Sequence, residues 1–145
     1  MDINKIRETA TVFRNAIEVC APSLGVIFKK FPSGACGEAV LLLGTYLIEQ
    51  DLGEFQYMLG DYGARTDSNW SSHAWLQADN LVVDITADQF PEVNEKVVVQ
   101  DYSKWHAKLN GKSLHIADYR ILNTYTVSSL NGMYRKIIAV IKAQA

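Results

Sequence analysis

The chain has 145 residues, with 14 Lys and Arg against 16 Asp and Glu, a formal net charge of −2, and 48% hydrophobic residues. That length suits one domain able to bury a core without staples, and the composition excludes a disordered tail. The slight acidity argues against a general nucleic-acid binder, which would carry a basic footprint.

Two cysteines, Cys20 and Cys36, are too few for a disulfide scaffold, and Met1-Asp2-Ile3-Asn4-Lys5 lacks the basic-then-apolar order of a signal peptide. A reduced, cytoplasmic setting is the expectation. The longest apolar stretch, Ala39 to Ile48, is broken by Gly44 and Thr45 and is too short to span a bilayer. No repeat or low-complexity run divides the chain, so one domain is expected over 1–145.

In chain order, Ile3, Ile6, Ala10, Phe13, Ile17 and Cys20 alternate spacings of three and four, which predicts a helix ending before Pro22. Cys20 lies on its apolar stripe as a small buried hydrophobe. Phe31-Pro32-Ser33-Gly34-Ala35-Cys36-Gly37-Glu38 then opens an apolar run to Gln50, a central helix with Ser33 and Gly34 at its entry and Cys36 near its N-terminus. Phe55 to Leu59 reads as a strand, and Gly60 to Asn69 as a polar loop. Ser72 to Ala78 and Leu81 to Thr86 flank Asp79-Asn80, a turn-tolerant pair, and predict a hairpin. Val97 to Val99 and Tyr119 to Val127 read as further strands, and Leu130 to Ala143 as a C-terminal helix. The order specifies an α+β fold with an antiparallel sheet.

A two-residue turn at Asp79-Asn80 opposes residues whose numbers sum to 159, so Trp75 faces Asp84. Period-two alternation puts His73, Trp75 and Asp84 on one face, with His73 and Asp84 diagonal at about 7–8 Å between backbones, a gap their side chains can close. A histidine oriented by a carboxylate is a general base. Cys36 is the matching nucleophile, because a helix N-terminus favours a thiolate and its neighbours are small. Backbone N–H groups there also suit an oxyanion, with Gln77 and Gln89 as side-chain candidates. Trp75, Gly34 and Gln89 are the candidate substrate contacts. Asp88 reads as a loop or cap residue, and His106 and His115, in polar surroundings, as surface residues. Neither a metal-ligand spacing nor a phosphate- or dinucleotide-binding glycine pattern is present, so no cofactor is expected.

Gly34-Ala35-Cys36-Gly37-Glu38 opening an apolar helix, His73-Ala74-Trp75 on a strand and Val83-Asp84-Ile85-Thr86 after it resemble the core of the transglutaminase-like branch of the papain-like cysteine enzymes. The resemblance spans Phe31 to Phe90. It implies Cys36 as nucleophile, His73 as base and Asp84 as orienting acid, in a thiol acyltransferase acting on a protein or peptide amide by proteolysis, deamidation or transamidation. The papain branch carries a glutamine shortly before its cysteine, where this chain has Lys29, Lys30 and Phe31, and an aspartate in third place favours the transglutaminase-like side. A non-catalytic binding module on the same fold, holding a partner around Trp75, is the alternative. The sequence specifies no oligomeric state.

Overall fold

A computed structural model describes residues 1–145. Helix α1 spans Ile3–Cys20, and the Asp2 side chain accepts the Lys5 N–H at its start. Its apolar stripe is buried as the spacing predicts, from Ile6 to Cys20. Helix α2 spans Cys36–Glu49 and is buried over most of its circumference. Five antiparallel strands follow: β1 Gln56–Tyr62, β2 Ser71–Ala78, β3 Leu81–Asp84, β4 Val98–Asp101 and, after the short helix α3 Lys104–Ala107, β5 Lys112–Ile116. Helix α4, Thr124–Gln144, ends the chain. The sheet order is β4-β3-β2-β1-β5, an α+β architecture. No helix is long and apolar enough to cross a membrane.

The hairpin register is the one the turn requires: Leu76 pairs with Val83, Gln77 with Val82 and Ala78 with Leu81. Alternation along β2 and β3 then sorts residues between two layers. Ala74, Leu76, Leu81 and Val83 join the main core with α1, α2 and α4. Trp75 and Val82 face the other way, into a smaller cluster closed by Leu109 and, at its margin, Trp105. The two residues that interrupt the apolar run of α2 have packing roles. A Cβ on Gly44 would stand 2.1 Å from the Ala117 carbonyl oxygen, so only glycine admits this approach. The Thr45 hydroxyl donates to the Leu41 carbonyl and accepts the Tyr119 N–H.

Two sequence expectations are corrected, and two elements lie outside the sequence reading. Tyr119 to Val127 is not a strand: Tyr119–Ile121 is a 3-10 turn, and Asn123 caps α4 by accepting the Thr126 N–H. The Tyr, Thr and Val residues there favour strands, but the cap and the burial of Leu130, Tyr134 and Ile137 at helical spacing override that preference. The expected loop begins later, because Gly60 to Tyr62 remain in β1. β5, an edge strand exposed over Lys112 to Leu114, and the single-turn α3 have too little apolar periodicity to be legible.

Candidate active site

Cys36 is the first residue of α2 and is half-buried. No side chain caps this helix end, and the first helical bond at its entry is Ala39 N–H to Ala35 oxygen. The N–H groups before it in the first turn therefore have no intrahelical acceptor. Ser33 supplies no cap. Gly34 takes φ +80°, the left-handed conformation that glycine adopts without strain, and so turns the chain into the helix; it is exposed, two residues before Cys36.

His73 and Asp84, diagonal across the hairpin, close the gap between strands. His73 Nε2 lies 2.6 Å from Asp84 Oδ2, and both side chains are almost fully buried. The other Asp84 oxygen accepts the Thr86 N–H at 2.9 Å and the Thr86 hydroxyl at 3.3 Å. With Nε2 engaged, His73 Nδ1 is left buried with no hydrogen-bond partner. The Cys36 thiol lies beside the ring, near enough to raise its proton affinity without forming a directed hydrogen bond.

His106, expected on the surface, is 2% exposed and places its Nε2 2.7 Å from the same Asp84 oxygen. Ser103 caps α3 by accepting the His106 N–H, and its hydroxyl lies 2.6 Å from His106 Nδ1. An ionised Asp84 can only accept, so His106 donates Nε2–H to it and Nδ1 accepts the Ser103 O–H. Two histidines thus converge on one carboxylate. A Ser three residues ahead of a histidine and the flanking apolar Trp105 and Leu109 are the signal that pointed inward, obscured by Lys104 and Lys108.

Burial alone would drive His73 neutral, but the adjacent Asp84 charge and hydrogen bond, helped by Cys36, push its pKa up to about 9. Burial likewise opposes the Asp84 charge, and His73 and His106 overcome it, holding the carboxyl well below the usual carboxylate range. At neutral pH the pair is therefore an imidazolium on a carboxylate. The His73, Asp84 and His106 ligand atoms lie within 4.8 Å of one another, the composition of a metal site. Their N···O separations of 2.6 and 2.7 Å are hydrogen-bond lengths. Neighbouring ligands around a tetrahedral zinc with bonds of about 2.0–2.1 Å stand about 3.3 Å apart, so in this structure the three groups are joined by hydrogen bonds.

Aromatic rings hold His73 in place: Phe90 packs edge-on at 5.0 Å, Trp105 at 5.8 Å and Trp75 stacks at 6.0 Å. Trp75 is 1% exposed and its Nε1 donates to Gln77, so it is a wall behind the histidines and not a surface open to substrate. Gln77 and Gln89 each donate one amide N–H, to the carbonyls of Asp79 and Thr86, and Gln89 thereby braces the turn after Asp84. His115 is half-buried, its ring 5.1 Å from Tyr57.

Asp88 is neither loop ornament nor cap. It pairs with both terminal nitrogens of Arg14, at 2.8 and 2.9 Å. Arg14, buried in α1, also binds Glu18 and the carbonyls of Ile85 and Lys96, and lies 4.8 Å over the Phe31 ring. One side chain thus ties the segment after Asp84 and the segment before Cys36 to the same helix. Compared with protein-family models, curated proteins and solved structures, the chain matches none.

Proposed function

We propose that the chain is a thiol acyltransferase in which Cys36 is the nucleophile, His73 the acid-base group and Asp84 the residue that orients it, on a core of the transglutaminase-like kind. The observation that carries this reading is the buried, unpartnered Nδ1 of His73, turned to the side of Cys36 because Asp84 holds Nε2. A buried imidazolium N–H needs an acceptor, and a thiolate at an uncapped helix start supplies one while being stabilised by the helix dipole.

The chemistry follows from that pair. The Cys36 sulfur attacks an amide carbonyl carbon, forming a C–S bond as the carbonyl π electrons move to oxygen. Collapse breaks the C–N bond, and the leaving amine takes the Nδ1 proton of His73, which leaves a thioester. Water or a second amine then attacks the thioester carbon and passes a proton to His73, restoring the thiolate-imidazolium pair and releasing an acid or a new amide. Asp84 stays ionised throughout and fixes the imidazole tautomer.

The test is mass spectrometry of a protein mixture incubated with wild-type or Cys36→Ala protein. New chain termini, amide-to-acid conversion or isopeptide cross-links that require Cys36 identify proteolysis, deamidation or transamidation respectively. Absence of all three, together with a Cys36 that iodoacetamide labels no faster than an ordinary thiol, rejects the proposal in favour of a binding module.

A further inference from the structure

Tyr57 lies on β1, paired with the core residue Leu76, on the sheet face that meets α2. Its hydroxyl reaches the start of that helix: a Cβ placed on Gly37 would stand 2.9 Å from the phenol oxygen. Glycine in a helix costs up to about 1 kcal/mol relative to alanine, and here its bareness admits a hydroxyl against the backbone next to the nucleophile. The ring is held from behind by His115 at 5.1 Å. Tyr62, Tyr119 and Tyr134 donate to Glu92, Asn131 and Glu49. The Tyr57 hydroxyl has no such acceptor in the protein. Burial, then the nearby Cys36 and Glu38, pushes its pKa up to about 12, so it keeps its proton through the working range of His73.

We infer that the Tyr57 hydroxyl and the unpaired N–H groups at the start of α2 form the oxyanion hole of the acyl transfer at Cys36. The glutamine that the papain branch places before its cysteine has no counterpart, and the Gln77 and Gln89 amides each hold a backbone carbonyl. Tyr57 supplies the missing side-chain donor from the sheet. When sulfur adds to a carbonyl, the oxygen that gains the electron pair receives the phenol hydrogen bond, which strengthens as negative charge develops. When the tetrahedral intermediate collapses, the electron pair returns to the carbonyl and the leaving group departs; the tyrosine donates no proton outright.

The inference rests on the thiol-enzyme reading, and two reagents separate the two. Iodoacetamide alkylates a thiolate by displacement at carbon, with no oxyanion. p-Nitrophenyl acetate acetylates it through a tetrahedral oxyanion and releases p-nitrophenolate. Tyr57→Phe is expected to slow acetylation of Cys36 on the order of 10²-fold, as for loss of one oxyanion donor, with alkylation unchanged. Gly37→Ala, whose Cβ displaces the hydroxyl, is expected to act selectively in the same direction. Acetylation at the wild-type rate in Tyr57→Phe, or an equal fall in both reactions, overturns the assignment. A wild-type Cys36 that reacts with both reagents no faster than a free cysteine overturns the thiol-enzyme reading and this inference with it.

Discussion

Cys20 and Cys36 sit at opposite kinds of helix end. Cys20 closes α1, is 8% exposed within the main core, and burial pushes its thiol pKa up. Cys36 opens α2, is half-buried, and has the positive end of the helix and the His73 ring beside it. Helix polarity alone opposes an anion at the first place and favours it at the second. The same side chain is thus a packing group in one region and the proposed nucleophile in the other, and the difference lies in the surroundings that the fold supplies.

The largest expected effect erases that comparison by loosening both regions. Arg14→Met removes a buried cation from Asp88 and from the Ile85 and Lys96 carbonyls, which should cost about 3–5 kcal/mol in urea unfolding. Both cysteines should then label through opening of the structure, and the contrast between them should shrink. His73→Ala acts on one side only. On the proposed mechanism, losing the imidazole beside it should slow Cys36 alkylation. Labelling of Cys20, read by mass spectrometry of the same sample, should not change.

The pH dependence sharpens the contrast further. His73 is held at about 9, above its ordinary 6.5, so the stability it contributes is full below about pH 6.5 and is lost as pH rises through 9. Asp84 is held below its ordinary range, so its contribution is present at neutral pH and is lost as acid protonates it. The urea midpoint should therefore be highest between about pH 4 and 6.5 and decline as pH rises to about 9. Amide turnover should fall over the same alkaline range, since His73 no longer carries a proton for the leaving amine. Alkylation of the Cys36 thiolate, which needs no such proton, should not fall. The smallest effect is that of Cys20→Ala, which deletes one small buried group: about 1 kcal/mol of stability, with the Cys36 labelling rate unaltered.

The hairpin shows how far local pattern reaches. Asp79-Asn80 and period-two alternation were enough to place His73 diagonal to Asp84, and the observed 2.6 Å contact closes that geometry. The apolar stripe of α1 was equally legible, but Arg14, within the same helix, was not. A buried arginine depends on Asp88 and on carbonyls more than seventy residues away, and no periodicity encodes them. His106 escaped for a related reason. Its polar neighbours describe the exposed side of a one-turn helix, while its own partner is twenty-two residues back on β3.

Tyr57 marks the limit most sharply, since on β1 it reads only as a strand aromatic. What the sequence by itself determined are the properties of each segment: helix or strand, which residues share a face, and where a turn reverses the chain, because these follow from backbone geometry over a few residues. Only the tertiary structure decided which faces meet. Packing α2 on the sheet put a phenol against Gly37 and an imidazole beside Cys36, and closing the far face with α3 set a second histidine on Asp84. Those contacts depend on burial and charge shared across the chain, and they make one of two cysteines different from the other.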